Sequence, residues 1–215
     1  MKNATLILIL FTIRSWQHYT SSVVLIEIDG RHTGSGFVVA PDLIITARHI
    51  VNKRGNYAVV LADGSKRNVQ AIRISKEADC AVLLVRKTSF RPLILTTKIE
   101  VGQPIFVVGS PLNRKFFNYV TYGIVSKIDV IYSRFSGNPL IMIDAAANPG
   151  NSGGPVFDSS GKVIGIFIAR YPHNCGLNFI TPSIDIITLL EDWKDANENH
   201  EGRYQADEEQ FTEEY

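Results

Sequence analysis

The chain has 215 residues, 45% hydrophobic and 20% charged, and this ordinary globular composition excludes a fibrous or wholly disordered protein. Its net charge of +1 hides a split, since residues 191–215 hold ten acidic and two basic residues while the rest holds 11 acidic and 20 basic ones. The lysines and arginines of that basic body are scattered among turns and strand ends, so we expect no nucleic-acid partner.

Residues 1–21 form a segment that resembles a signal peptide or packs on the domain. An apolar run from Leu6 to Phe11 follows one early lysine. It is too short to cross a bilayer, so we expect no stable membrane span. The run fits the hydrophobic region of a signal peptide, although no A-x-A cleavage site follows it. The segment therefore favours a secreted or periplasmic location over a cytoplasmic one.

Short strands of alternating or β-branched apolar residues, separated by turn signals, dominate the rest of the chain. Six are predicted in the first half, at 23–28, 36–40, 43–46, 57–61, 68–74 and 80–85. Six more are predicted in the second half, at 104–109, 120–128, 140–143, 154–157, 162–169 and 177–180. This pattern predicts an all-β protein with two closed, six-stranded antiparallel barrels, because closure removes exposed strand edges.

The two sets of strands divide the chain into a first barrel over 22–98 and a second barrel with a C-terminal helix over 99–195. The helix is predicted after Pro182, from a helical period that puts these residues on one face: Ile186, Leu189 or Leu190, and Trp193. We expect it to pack on the second barrel. Residues 196–215 are too polar to bury a core, so an acidic disordered tail is expected there.

The stretch NPGNSGGPVF, at 148–157, places three glycines within five positions around Ser152. Glycine is costly in ordered segments unless the backbone needs unusual dihedrals or a close approach. A hairpin turn is one interpretation, and a nucleophile on a tight loop beside exposed N–H groups is the other. Because a serine hydroxyl is a weak nucleophile, the second interpretation requires a base and a group that orients it.

Candidates for both groups lie at the ends of first-barrel strands. His49 follows the strand at 43–46, where a side chain can project into a cleft, although a lone histidine there is more often structural. Asp79 opens the apolar strand at 80–85, and a carboxylate in that place needs a partner such as an imidazole N–H. The order His49, Asp79, Ser152 is that of the chymotrypsin arrangement. It predicts a site in the cleft between the barrels.

Several longer stretches carry a resemblance to a known family, namely GSGFVVAPDLIITARHIV, ADCAVLLV, VGSPLN, TYGIVSKID, IDAAANPGNSGGPVFDSSGKVIGI and GLNFITPSI. Their order and spacing are similar to those of the trypsin-like peptidases, most of all the HtrA/Deg branch. The resemblance extends from about Ser22 to Ile187. It implies that Ser152 is the nucleophile, His49 the general base and acid, and Asp79 the residue that fixes the histidine tautomer. It also implies an oxyanion hole at Gly150, Asn151 and Ser152. Its donors would be the backbone N–H groups of Gly150 and Ser152, with Asn151 between them.

The same resemblance implies a serine endopeptidase that cleaves a polypeptide substrate through an acyl-enzyme, with no metal or cofactor. Its specificity pocket would be lined by Ala146, Ala147, Ile168, Ala169 and Arg170. None of these is acidic, so a small or medium aliphatic P1 residue is expected. An acidic P1 residue is the alternative, because Arg170 and His173 are cationic or can become so.

Some features depart from the family pattern. Arg48 stands before the histidine where a smaller residue is usual, which would place a cation near the cleft or perturb the loop. We see no PDZ-like segment after the second barrel, so peptide-regulated behaviour is not expected, and no IVGG-type N-terminus for activation by cleavage. A trimer is an option because many relatives form one.

Two other functions compete with this interpretation. A trypsin-like fold could hold a peptide or an acidic polymer in its groove or on its basic surface without turnover. An esterase-like hydrolase is disfavoured because the G-x-S-x-G elbow is missing. Cys80 lies in an apolar run and is expected to be a buried free thiol, while neither it nor Cys175 has metal-binding spacing.

Overall fold

The computed structural model describes residues 19–110, 117–132, 136–171 and 176–196, and strands dominate it. The first barrel contains β1 (Val23–Ile28), β2 (Arg31–Ala40), β3 (Leu43–Thr46), β4 (Tyr57–Val60), β5 (Lys66–Ile74) and β6 (Ala81–Val85). The second contains β7 (Pro104–Gly109), β8 (Tyr119–Val130), β9 (Leu140–Ile143), β10 (Pro155–Asp158), β11 (Val163–Arg170) and β12 (Asn178–Pro182). Each set closes on itself, in the orders β1-β2-β3-β6-β5-β4 and β10-β11-β12-β9-β8-β7. The predicted pair of six-stranded antiparallel barrels is confirmed.

Four strands, β1, β3, β7 and β9, begin and end where the sequence pattern predicts. β2 starts five residues before the predicted glycine, because His32 pairs with Glu27 of β1 after a bulge. β8 likewise runs on to Val130 past polar residues, and bulges keep it paired with β9. Backbone pairing therefore extends strands into segments whose side chains carry no apolar signal.

Apolar side chains from both barrels meet in one large buried cluster. It includes Ile26, Phe37 and Leu83 from the first barrel and Phe157 and Ile166 from the second. A smaller cluster fills the second barrel and includes Ile105, Val107, Ile143, Val156 and Ile164. Each such side chain contributes about 1.5–3 kcal/mol when fully buried. The shared cluster fixes one barrel against the other and so positions the cleft.

A helix at 183–196 follows β12, where the sequence predicts one. Ile186 and Leu189 are buried in the shared cluster, with Leu190 and Trp193 partly buried against it. The sequence predicts that this helix packs on the second barrel, whereas in the structure it contacts both barrels. The Ser183 hydroxyl donates to the Val163 carbonyl of the second barrel, at 2.7 Å. The Cys80 thiol of the first barrel donates to the Asp185 carbonyl, at 3.9 Å.

Some predictions concern residues outside the described ones. These include most of the signal-like segment, the acidic tail beyond residue 196, His173 and Cys175. The division of the chain at residue 98 stays a prediction. No helix of the described residues is both long and apolar enough to cross a membrane.

Candidate active site

His49 lies in the middle of a single turn of 3₁₀ helix, η1 (Arg48–Ile50), that follows β3. The turn is closed by backbone bonds from Ile50 to Ala47 at 3.1 Å and from Val51 to Arg48 at 3.0 Å. Ile50 is buried and anchors the turn to the core, whereas the His49 side chain is 44% exposed. The short turn therefore holds the imidazole at the surface of the cleft.

The Asp79 carboxylate binds His49 at two points. Its Oδ2 lies 2.6 Å from His49 Nδ1, and its Oδ1 accepts the backbone N–H of His49 at 3.0 Å. Asp79 is only 5% exposed, and a buried carboxylate needs such partners. Since an ionised carboxylate only accepts hydrogen bonds, this contact requires a proton on Nδ1, and in a neutral imidazole Nε2 is then the acceptor.

Arg48 stabilises the loop that carries Asp79. Its guanidinium donates to the carbonyls of Ser75 and Lys76, at 3.0 and 2.8 Å. The Ser75 hydroxyl in turn accepts the N–H of Ala78 at 3.1 Å. These contacts join the turn that carries His49 to the loop that carries Asp79. A cation near the cleft at Arg48 stays a prediction.

The glycines around Ser152 have the conformations that only glycine adopts easily. Gly150 has φ +103 and Gly153 has φ +86, both in the left-handed region. A Cβ atom on Gly153 would also collide with the Ser35 carbonyl and the Thr46 hydroxyl of the first barrel. The loop is thus pressed directly against β2 and β3.

Ser35 of β2, which is fully buried, holds this loop from the first barrel. Its N–H donates to the Ser152 carbonyl at 2.8 Å, and its hydroxyl donates to the Gly150 carbonyl at 2.7 Å. The hydroxyl also accepts the Ser110 N–H at 2.9 Å. Sequence reasoning missed Ser35, although a polar residue between two strand glycines, Gly34 and Gly36, was a signal that could have found it.

Two N–H groups in the loop make no hydrogen bond to the described residues. Asn151 donates its N–H to Asn148 at 3.1 Å, and Gly153 donates its own to Phe167 at 2.8 Å. Within the described part of the chain, the N–H groups of Gly150 and Ser152 have no protein acceptor. They flank the Asn151 side chain, which is buried. Of the three residues predicted for an oxyanion hole, Gly150 and Ser152 thus have N–H groups without an acceptor among the described residues, as an oxyanion hole requires.

Ser152 and His49 line one cavity of about 410 Å³ between the barrels. The Ser152 hydroxyl donates to the Ile168 carbonyl at 3.3 Å, and no hydrogen bond joins it to His49 in this structure. A change of the serine χ1 rotamer would redirect the hydroxyl, and such contacts often tighten only when substrate binds. The structure therefore brings nucleophile and base candidates to one cavity without a direct bond.

The five residues predicted to line the specificity pocket differ in exposure, and the pocket itself stays a prediction. Ile168 is buried and Ala147 and Ala169 are partly buried, whereas Ala146 and Arg170 are exposed. The amide of Asn178 on β12 donates to the Ala145 carbonyl at 2.7 Å, next to the two predicted alanines. Asn178 pairs with Arg170 across the β11–β12 ladder, so it links the two predicted walls.

Cys80 is a fully buried free thiol, as predicted. Burial and the nearby Asp185 carboxylate raise its pKa to about 12. No group of three or more histidine, cysteine, aspartate or glutamate side chains among the described residues could hold a metal ion.

Comparison with known proteins identifies close similarities over most of the chain. A family model described as trypsin-like peptidase domain matches residues 34–166. A "Probable periplasmic serine endoprotease DegP-like" of Bartonella henselae is 38% identical over 157 residues, which cover 70% of this chain and 31% of that protein. A "Serine protease Do-like HtrA" of Lactobacillus helveticus is 32% identical over 160 residues, 69% of this chain and 39% of that protein. The chain thus spans roughly a third of the length of these relatives.

Solved structures give the same fold. The HtrA-type protease AlgW with a tripeptide has a TM-score of 0.73 at 24% identity, over 82% of this chain and 62% of that one. The inactive form of the Rv3671c protease has a TM-score of 0.68 at 24% identity, over 81% of this chain and 89% of that one. At this level of identity, the two structures support the fold alone.

Proposed function

The chain belongs to the trypsin-like peptidase family, and on that premise we propose that it is a serine endopeptidase of the HtrA type. One observation carries the proposal: Asp79 holds His49 at two points in the wall of the cavity that Ser152 also lines. The free N–H groups of Gly150 and Ser152 add a binding site for a developing negative charge. Together these groups match what acyl transfer from a peptide bond requires.

In the proposed mechanism the Ser152 hydroxyl rotates from Ile168 toward His49 and attacks the scissile carbonyl carbon. Nε2 of His49 takes the serine proton, while Asp79 stabilises the resulting imidazolium. The N–H groups of Gly150 and Ser152 donate to the oxyanion, and losing one such donor costs about 10²–10³ in rate in other enzymes. His49 then gives its proton to the leaving amine, which leaves an acyl-enzyme at Ser152.

A water molecule completes the reaction in the proposed mechanism. His49 removes a proton from this water as it attacks the acyl carbonyl, and then returns the proton to the Ser152 oxygen. The acid product leaves and the enzyme is restored. Each step uses side chains, backbone donors and water, so the proposal includes no metal and no cofactor.

The chemistry of the predicted specificity pocket suggests the P1 preference. Of the five residues that the sequence predicts for this pocket, Ala146, Ala147, Ile168 and Ala169 are apolar and none is acidic. We propose a small or medium aliphatic P1 residue. An acidic P1 residue is the alternative, because Arg170 is an exposed cation at the end of β11.

Cleavage of a diverse peptide library, mapped by mass spectrometry, tests both parts of the proposal. We expect the full chain to cleave after small or medium aliphatic residues, and Ser152→Ala and His49→Ala to cleave nothing. Cleavage mainly after lysine or arginine would overturn the P1 assignment while leaving the activity in place. No cleavage by folded wild-type protein would overturn the activity.

A binding function without turnover is the second candidate. A cationic cavity of the first barrel, separate from the cleft between the barrels, favours it. This cationic cavity is lined by Lys66, Arg67, Arg86 and Lys87. Lys66 also forms an ion pair with Glu27 at 2.8 Å. Titration with polyglutamate at low and high salt tests the idea. Salt-sensitive binding by a protein that cleaves no library peptide would favour it over the peptidase.

We also propose export of the protein, since several relatives carry the word periplasmic in their names. The signal-like apolar run of residues 6–11 supports the same proposal. N-terminal sequencing of the protein recovered from its native cells tests it. A mature chain that starts after the apolar run is expected, and one that retains Met1 in the cytoplasm would contradict it.

A further inference from the structure

We propose that the cavity beside His49 is a subsite that selects acidic side chains on the leaving-group side of the scissile bond, with Lys53 as its determinant. The inference rests on the proposed peptidase function and adds a substrate class to it. It begins from the residues that share the cavity with the nucleophile.

Two sets of residues face each other across this cavity of about 410 Å³. The first barrel contributes His32, Thr33, His49, Ile50 and Lys53. The loop around Ser152, residues 148–154 (the serine loop), contributes Pro149, Gly150 and Ser152. A strand residue rises by roughly 3.3 Å, so a space of this size accommodates one or two residues of an extended peptide.

The position of His49 indicates which half of a substrate enters the cavity. His49 must protonate the leaving amine, so the residues that follow the scissile bond lie on the imidazole side of Ser152. The acyl half lies toward Ile168, which accepts the Ser152 hydroxyl and does not line this cavity. The cavity therefore receives P1′ and P2′.

Lys53 gives this cavity its charge. Among the described residues, no carboxylate lines the cavity and none makes an ion pair with Lys53. Asp29 contacts the loop between η1 and β4 that carries Lys53. Its Oδ1 accepts the Asn56 N–H of that loop at 2.9 Å. His32 also lines the cavity, and its Nε2 lies 3.1 Å from the Gly34 carbonyl. An acidic side chain in the cavity would thus meet a lysine side chain that makes no ion pair with the described residues.

The backbone of Lys53 is fixed by a buried residue. The Tyr57 hydroxyl donates to the Lys53 carbonyl at 2.8 Å and accepts the Lys53 N–H at 3.1 Å. Tyr57 itself is 7% exposed and belongs to the core. The next residue, Arg54, carries the same charge and does not line the cavity. Arg54 is therefore a matched control for Lys53.

The test uses peptides that share an aliphatic P1 residue and carry aspartate, alanine or lysine at P1′ and P2′. With the full wild-type chain we expect kcat/KM for the aspartate peptide to exceed that for alanine by about threefold to tenfold. Lys53→Ala should remove this preference, Lys53→Glu should reverse it, and Arg54→Ala should leave it unchanged. High salt should weaken it, since exposed charges are screened.

Equal cleavage of the three peptides by wild type, or an unchanged preference in Lys53→Ala, would overturn the subsite and leave the peptidase standing. If wild type cleaves none of them, the proposed function fails and binding to Ser152→Ala, followed by fluorescence anisotropy, decides the subsite. The subsite would be supported if Ser152→Ala binds the aspartate peptide more tightly than the other two and the double variant with Lys53→Ala does not. The same affinity for all three peptides would overturn it.

Discussion

The two bonds from Asp79 to His49 determine what the imidazole can do. One oxygen holds the ring nitrogen Nδ1 at 2.6 Å and the other holds the backbone N–H at 3.0 Å. In Asp79→Asn the amide can donate to Nδ1 and so favour the wrong tautomer. We expect kcat/KM to fall by about 10⁴, as for this change in a related triad, with the unfolding midpoint nearly unchanged.

Peptide cleavage assays and thermal unfolding check this expectation together. Asp63→Asn serves as the control, because Asp63 is an exposed turn residue that accepts the Ser65 N–H at 2.8 Å. The control should keep full activity. A loss of less than tenfold in Asp79→Asn would contradict the assigned role of Asp79.

Cys80 should be inert while the protein is folded. Because its pKa is raised to about 12, roughly one thiol in 10⁴ is ionised near pH 8, and the thiolate is the reactive form. We expect iodoacetamide to leave Cys80 unmodified in native protein and to alkylate it fully in concentrated guanidinium chloride, as read by peptide mapping. Rapid native alkylation of Cys80 near pH 8 would show that the thiol is accessible.

The sequence predicted site residues that lie at strand ends, such as His49 and Asp79. It did not predict residues that act through contacts distant in sequence, such as Ser35 and Asn178. His49 and Asp79 stand next to apolar strands, where a polar side chain needs a reason. Ser35 bonds a residue 115 positions away, and Asn178 bonds one 33 positions away, so no local pattern reports either contact. Which hydroxyl rotamer Ser152 adopts is likewise a property of the folded loop.

At the scale of elements, strand positions followed from alternating patterns, as in β8, and from continuous apolar runs, as in β1 and β11, which are buried on both faces. The predictions fell short where polar segments continued a ladder, as at the start of β2 and the end of β8. The helix at 183–196 was predicted from its apolar face, but periodicity does not say which barrel that face meets. Here both barrels meet it.

The hydrogen bonds from Ser35 of β2 to the serine loop can be tested by substitution. In Ser35→Ala the Gly150 carbonyl loses its donor and the Ser110 N–H loses its acceptor, at a cost of about 1–3 kcal/mol for each unpaired buried group. We expect kcat to fall about tenfold to a hundredfold with little change in KM, because the adjacent oxyanion donors lose their alignment.

A second buried serine provides the control. The Ser22 hydroxyl donates to the Arg91 carbonyl at 2.6 Å, and the residue is fully buried like Ser35. Ser22→Ala should therefore lose stability but keep its kcat. If both variants lose stability and activity in parallel, Ser35 has only a structural role.

At the scale of the whole molecule, the barrels share a core. Phe37 and Leu83 of the first barrel belong to the same buried cluster as Phe157 and Ile166 of the second. We expect the two barrels to unfold together in one calorimetric transition, with the van't Hoff enthalpy equal to the calorimetric enthalpy. Two resolved transitions, or a calorimetric enthalpy well above the van't Hoff value, would mean that the barrels are independent.

The most direct test of a competent catalytic site is covalent labelling of Ser152 by a peptidyl phosphonate with an aliphatic P1 residue. The phosphonate phosphorus reacts with a serine only when its base and oxyanion donors are in place. We expect intact-mass analysis to find one adduct per wild-type chain at Ser152, and none in Ser152→Ala or His49→Ala. Folded wild-type protein that stays unlabelled, in conditions where another serine peptidase is labelled completely, would contradict the account.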